Sequence, residues 1–128
     1  MESLDSFFEK LYRNFNDRKI ELVIANMTED VKWANGMDGG YVYGHDGVRQ
    51  YWTKQFAMVS SNVTPLKIEN NNGIVRIEVH QVVYDLDQNL LADEMVEHFF
   101  HLKEDKVDQF DIGKKLENEY HIKNKSSV

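Results

Sequence analysis

Residues Ile74 to Leu102 constrain this chain most, because they read as one long β-hairpin with a mixed face. Val75, Ile77, Val79 and Val83 alternate on one side of the first strand, with Gln81 among them. Ala92, Val96, Phe100 and Leu102 share one side of the second, with Glu94 and His98 among them. With Asp87-Gln88 as the turn, the antiparallel register pairs Val75 with Phe100, Ile77 with His98, Val79 with Val96 and Gln81 with Glu94. The apolar faces then coincide, and so do their polar interruptions. A polar group on a buried face is costly unless it has a partner. Two arrangements satisfy that condition: a lined cavity, or a structural hydrogen bond inside a filled core.

A chain of 128 residues suffices for one domain with a real core, and seven Phe, six Tyr and two Trp supply its bulk. The formal charge of −7 argues against a nucleic-acid or anionic-membrane surface, since both need clustered positive charge. Cysteine is absent, which excludes disulfides, thiol nucleophiles and thiolate metal sites. The polar start Met1-Glu2-Ser3 lacks a secretory pattern, and no apolar run reaches membrane-spanning length. The expectation is a cytoplasmic protein.

Leu4, Phe7, Phe8, Leu11, Tyr12 and Phe15 form a helical stripe, with Ser3 as its cap. Ile20, Val23, Ile24 and Met27 restart the pattern as a second helix. Thr28-Glu29-Asp30 reads as a turn, Val31 to Asn35 as a short strand and Tyr41-Val42-Tyr43 as another. Val48, Tyr51, Trp52, Phe56 and Val59 mark a third helix, with Asp46 as cap. Val63 to Glu69 is a strand whose Pro65 suits an edge, and Asn70-Asn71-Asn72-Gly73 is a turn into the long hairpin. Val107 to Ile112 is the last strand, with Phe110 and Ile112 on the side of Phe100 and His98. Helices first and an antiparallel meander after give an α+β domain over 1–113 and a charged tail over 114–128, anchored by Leu116, Tyr120 and Ile122.

The two-helix start Phe7–Met27, Glu29-Asp30-Val31-Lys32-Trp33, Gly44-His45-Asp46-Gly47-Val48-Arg49-Gln50-Tyr51-Trp52 and the ending Phe99 to Val107 together resemble the nuclear transport factor 2-like superfamily. Within it, the chain resembles the SnoaL-like, ketosteroid-isomerase-related branch. The resemblance implies three helices packed on a curved antiparallel or mixed sheet, a cone with an internal pocket (cystatin-like), and a homodimer through the outer sheet face. The superfamily hosts isomerases, cyclases, dehydratases, hydrolases and plain binding or assembly domains, so the site must carry the function. The carboxylate base of ketosteroid isomerases maps near Asn35, an amide that takes up no proton at neutral pH. Their oxyanion-binding tyrosine maps near Leu11, with Tyr12 about a quarter turn away around the helix. Their protonated acid maps near His98. Steroid isomerisation by that mechanism is therefore not expected.

His98 is the candidate acid or base, because imidazole titrates near neutrality. The competing reading is a structural histidine bonded to Asn35 or to a backbone carbonyl. Glu94 lies on the same face, but four residues of strand span roughly 13 Å, too far for a direct dyad. Gln81 and Glu94 form a cross-strand pair at the cavity mouth or the hairpin tip. Trp33, Trp52, Phe56, Phe100 and Phe110 supply an aromatic wall or ordinary core. Tyr41 and Tyr43 flank the glycine-rich loop near a possible entrance. The histidines lack convergent spacing, so no metal is expected, and no cofactor. Val82, Tyr84, Met95 and Phe99 share the hairpin's outer face with Arg76, Glu78, His80, Asp93, Glu97 and His101, a composition suited to dimerisation.

These readings combine into a SnoaL-like pocket protein for a small apolar carbonyl or ring compound. Any chemistry would be cofactor-free acid–base catalysis by His98, with Asn35 orienting the ligand. The alternatives are a non-catalytic binding module and a dimeric assembly module with a filled interior.

Overall fold

The computed structural model describes residues 2–116. Helix α1 spans Leu4–Asn16, α2 Ile20–Ile24 and α3 Gly44–Phe56. The strands are β1 Met27–Ala34, β2 Tyr41–Tyr43, β3 Val59–Asn71, β4 Ile74–Asp85, β5 Leu90–Lys103 and β6 Lys106–Leu116. They form one six-stranded sheet in the order β2-β1-β6-β5-β4-β3, parallel between β1 and β6 and antiparallel elsewhere. This is the expected α+β architecture of three helices on a mixed sheet.

The amphipathic stripe of α1 buries Phe7, Phe8, Leu11 and Tyr12, and the Ser3 side chain accepts from the Ser6 N–H at 3.1 Å as the cap. The long hairpin keeps the expected register, with Val75, Ile77, Val79 and Gln81 opposite Phe100, His98, Val96 and Glu94. Its turn is wider than the expected two residues. The Asp85 N–H donates to the Asn89 carbonyl, Gln88 takes a left-handed φ of 67°, and the Asp85 carboxylate accepts from the Asp87 and Asn89 N–H groups. A bulge before Ala92 restores the register.

Several boundaries differ from the sequence expectation. The second helix stops at Ile24, because Met27 already pairs with Val107 in the sheet. Thr28-Glu29-Asp30 is not a turn but part of β1, across an irregularity in the β1–β6 ladder, and Thr28 donates to Asp108 at 2.8 Å. Asp46 is not the cap of α3. The helix begins at Gly44, and the Asp46 carboxylate pairs with Arg49 instead. Val59 opens β3 rather than closing α3. Strand β6 continues past residue 113 to Leu116, and the rest of the expected tail, with Tyr120 and Ile122, lies outside the described residues. No helix among the described residues is long and apolar enough to cross a membrane.

The core lies between the helices and one sheet face. Phe8 meets Phe100 with ring centroids 4.8 Å apart, and Trp33 stacks on Phe110 at 4.1 Å and meets Trp52 edge-on at 5.2 Å. This aromatic cluster fills one part of the interior and leaves the rest hollow.

Candidate functional site

A cavity of about 400 Å³ lies between α1, α3 and the helix-facing side of the sheet. That volume falls in the range of small-molecule sites. Its walls are mostly apolar: Leu11, Phe15, Trp33, Trp52, Phe100 and Phe110 line it, with a valine group from β3, β4 and β5. Gly36, Ile112 and Glu94 line it too and are partly open to solvent, which places the mouth on their side.

His98 reaches the cavity because β5 alternates and Phe100 and Val96 flank it on the same face. It is 7% exposed. Its Nδ1 lies 2.7 Å from the Tyr12 hydroxyl, which α1 holds 3% exposed, and the two rings stack nearly parallel. Phe110 stands edge-on to the imidazole at 4.9 Å. Burial pushes the His98 pKa down to about 3 and the Tyr12 phenol up, so both groups are neutral near pH 7. Two neutral tautomers fit the short contact. If Tyr12 O–H donates to Nδ1, both groups are satisfied and the Nε2–H is left as a donor. If Nδ1–H donates instead, the Tyr12 proton needs another acceptor, and no other hydrogen bond to Tyr12 occurs among the described residues. The first arrangement is favoured. His98 then offers the cavity a hydrogen-bond donor and not a free base.

Gln81 and Glu94 also line the cavity, on neighbouring strands, and Gln81 Nε2 donates to Glu94 Oε1 at 3.4 Å. Glu94 Oε2 meets the exposed Lys115 ammonium at 3.2 Å. On α3, Tyr51 accepts from the Gly36 N–H at 3.0 Å. Gln55 Nε2 reaches the same hydroxyl at 3.4 Å, and Gln55 Oε1 is buried without a partner among the described residues.

Of the residues singled out in the sequence, Trp33, Trp52, Gln81, Glu94, His98, Phe100 and Phe110 converge on this cavity. Asn35 and Phe56 do not. The Asn35 carboxamide oxygen accepts from the Met37 and Asp38 N–H groups at 3.0 and 2.9 Å, so it builds the loop after β1, and Asn35 does not line the cavity where it was expected to donate to a ligand. Phe56 packs on Phe15 and under the Arg18 guanidinium, 4.3 Å from the ring centre. Tyr41 donates to Asp111, Tyr43 is exposed, and neither lines the cavity. The partner of His98 is neither Asn35 nor a carbonyl but Tyr12. Its signal was present: a tyrosine inside a buried apolar stripe needs a partner for its hydroxyl.

The SnoaL-like domain model matches residues 8–109. Among solved structures, an NTF2-like protein of unknown function from Burkholderia pseudomallei superposes with a TM-score of 0.77 at 18% identity, covering 88% of this chain and 90% of that one. TerC, co-crystallised with polyporic acid, gives 0.74 at 18% identity over 96% and 97%. A proposed polyketide cyclase from Xanthomonas campestris gives 0.70 at 13% identity over 86% and 88%. No curated protein sequence matches the chain. The order of its elements and the family match over residues 8–109 agree: the chain belongs to the SnoaL-like domain family, with an NTF2-like fold.

Proposed function

We propose that this protein binds a flat, largely apolar ring compound in the cavity and holds a carbonyl-type oxygen on the His98 Nε2–H. The observation that carries this reading is a buried imidazole that lines the cavity, its near nitrogen taken by Tyr12 and its far nitrogen without a partner among the described residues. The aromatic walls suit a planar ligand. The polyporic acid held by TerC is consistent with such a ligand. Chemistry at this site would be cofactor-free. A neutral donor polarises a carbonyl and acidifies the C–H beside it, so that water entering the cavity can take up the proton, the step shared by isomerase, cyclase and dehydratase reactions. His98 is then the oxygen-binding group rather than the proton carrier.

1-Tetralone is a suitable probe. Titration should show binding that weakens about tenfold or more in His98→Phe, while the far-UV circular dichroism stays unchanged. Incubation in deuterium oxide then separates catalysis from plain binding. His98-dependent exchange at the carbon next to the carbonyl supports an enzyme. Binding with exchange no faster than in buffer supports the non-catalytic module, which the loss of Asn35 to the loop favours. No binding at all would overturn the proposal.

We also propose a homodimer through the outer hairpin face around Val82, Tyr84, Met95 and Phe99, as the composition of that face suggests.

A further inference from the structure

The cavity carries polar groups of opposite character at two places. At one, His98 presents a donor. At the other, Glu94 presents a carboxylate, with Gln81 beside it. Between them on β5 stands Val96, and Val63 on β3 and Val83 on β4 line the path. Four residues separate the two groups along β5, so their backbones stand roughly 13 Å apart. Side chains reaching inward from both ends can grip one bicyclic molecule without touching each other.

The carboxylate has capacity to spare. A carboxylate offers about four acceptor positions. Among the described residues, those of Glu94 meet only Gln81 at 3.4 Å and Lys115 at 3.2 Å. The first contact is long, and the second is to a lysine side chain 71% exposed, a kind of pair that contributes little. A ligand donor entering the cavity would meet a partly buried carboxylate with acceptor positions that no described residue fills. Hydrogen bonds to such groups are the strong ones.

Resting on the pocket reading above, we infer that Glu94 is a specificity-determining residue that selects ligands bearing a hydroxyl donor at the end opposite the oxygen held by His98. The ligand class is a flat hydroxylated ring ketone, neutral at the Glu94 end. The same carboxylate repels a ligand carrying an anion there.

Three probes test this in the intact protein: 1-tetralone, 6-hydroxy-1-tetralone and 1-tetralone-6-carboxylate. The 6-hydroxyl should tighten binding about tenfold or more, the usual effect of a hydrogen bond to a charged group. The carboxylate probe should bind more weakly than 1-tetralone. In Glu94→Leu the hydroxyl advantage should vanish and the penalty on the carboxylate should shrink, each measured as a ratio to 1-tetralone on the same variant. Glu94→Gln should keep part of the hydroxyl advantage and lose the charge penalty. Should Glu94→Leu fold poorly, Glu94→Gln alone reads the charge penalty. His98-dependent binding of 1-tetralone with no gain from the hydroxyl would overturn the role of Glu94 and leave the pocket reading standing. A hydroxyl gain that survives in Glu94→Leu would overturn it too. Failure of all three probes to bind would overturn both.

Discussion

At the residue scale, the Tyr12–His98 contact couples the interior to pH. An unfolded imidazole titrates near 6.5, whereas burial holds this one near about 3. Between those values the unfolded chain binds the extra proton, so acid favours unfolding. The stability tied to His98 is therefore complete above pH 6.5 and drains away as the pH falls toward 3. The slope is at most about 1.4 kcal/mol per pH unit. Urea denaturation at pH 7.5 and 4.5 should show this loss in the wild type and a flatter dependence in His98→Phe. An equal loss in both would show that the acid sensitivity lies elsewhere. Tyr12→Phe removes the donor that selects the tautomer and leaves Nδ1 without a partner. We expect a cost of about 1–3 kcal/mol. The imidazole ¹⁵N shifts should also move from those of a single Nε2–H form toward a mixture, a change that a purely packing role for Tyr12 would not produce.

At the scale of elements, the sheet's edge is managed by α1. The last residue of that helix, Asn16, uses its carboxamide as a substitute peptide unit. Its Nδ2 donates to the Val63 carbonyl at 2.8 Å, and its Oδ1 accepts from the Val63 N–H at 2.9 Å. Both bonds dock the helix on edge strand β3, whose ladder with β4 shifts register just after Pro65. Asn16→Ala should cost about 1–3 kcal/mol by chemical denaturation, since it strands two partly buried backbone groups. Where β6 crosses β5, Gly113 permits a close approach. A Cβ there would lie 2.6 Å from Phe99 Cε2 and 2.9 Å from Glu97 Cβ. Gly113→Ala should destabilise by about 1–3 kcal/mol, as overpacking does. A neutral result would mean that Phe99 swings aside freely.

At the scale of the whole molecule, one sheet face makes the cavity and the other carries a charged cluster among apolar side chains. Its centre is the pair Arg76–Glu97 at 2.6 Å, with Arg76 also on Glu78 at 2.8 Å. Glu97 is 8% exposed in the single chain, and the Arg76 guanidinium holds its carboxyl below the usual carboxylate range. Tyr84 stands 37% exposed toward the hairpin tip. If two copies meet on this face, sedimentation should give about 30 kDa, twice the 15.1 kDa of the chain. Tyr84→Glu should shift the mass toward the monomer by placing like charges across the two-fold axis. A monomer at micromolar concentration in the wild type would refute the dimer.

Local patterning made much of this legible. Alternation along residues 74–102 specified the hairpin register, because a slip by one residue would turn every core side chain to the other face. The same alternation put Gln81, Glu94 and His98 on the face that became the cavity lining. Helical spacing specified the buried faces of α1 and α3. Other features depended on contacts between residues distant in the chain. Met27 closed α2 early because β6 offered it a strand partner, and Asn35 turned its amide to its own loop, as short polar side chains do next to a free backbone. The partner of His98 comes from a helix 86 positions away. Periodicity reports which face a residue occupies, whereas a tautomer, a shifted pKa and a hollow are properties of groups brought together in space. By itself the sequence determined the order of the elements and the polar positions on an apolar face. Only the tertiary structure decided that the interior stays open and that its histidine is neutral, because both depend on how the helices close over the sheet and exclude water.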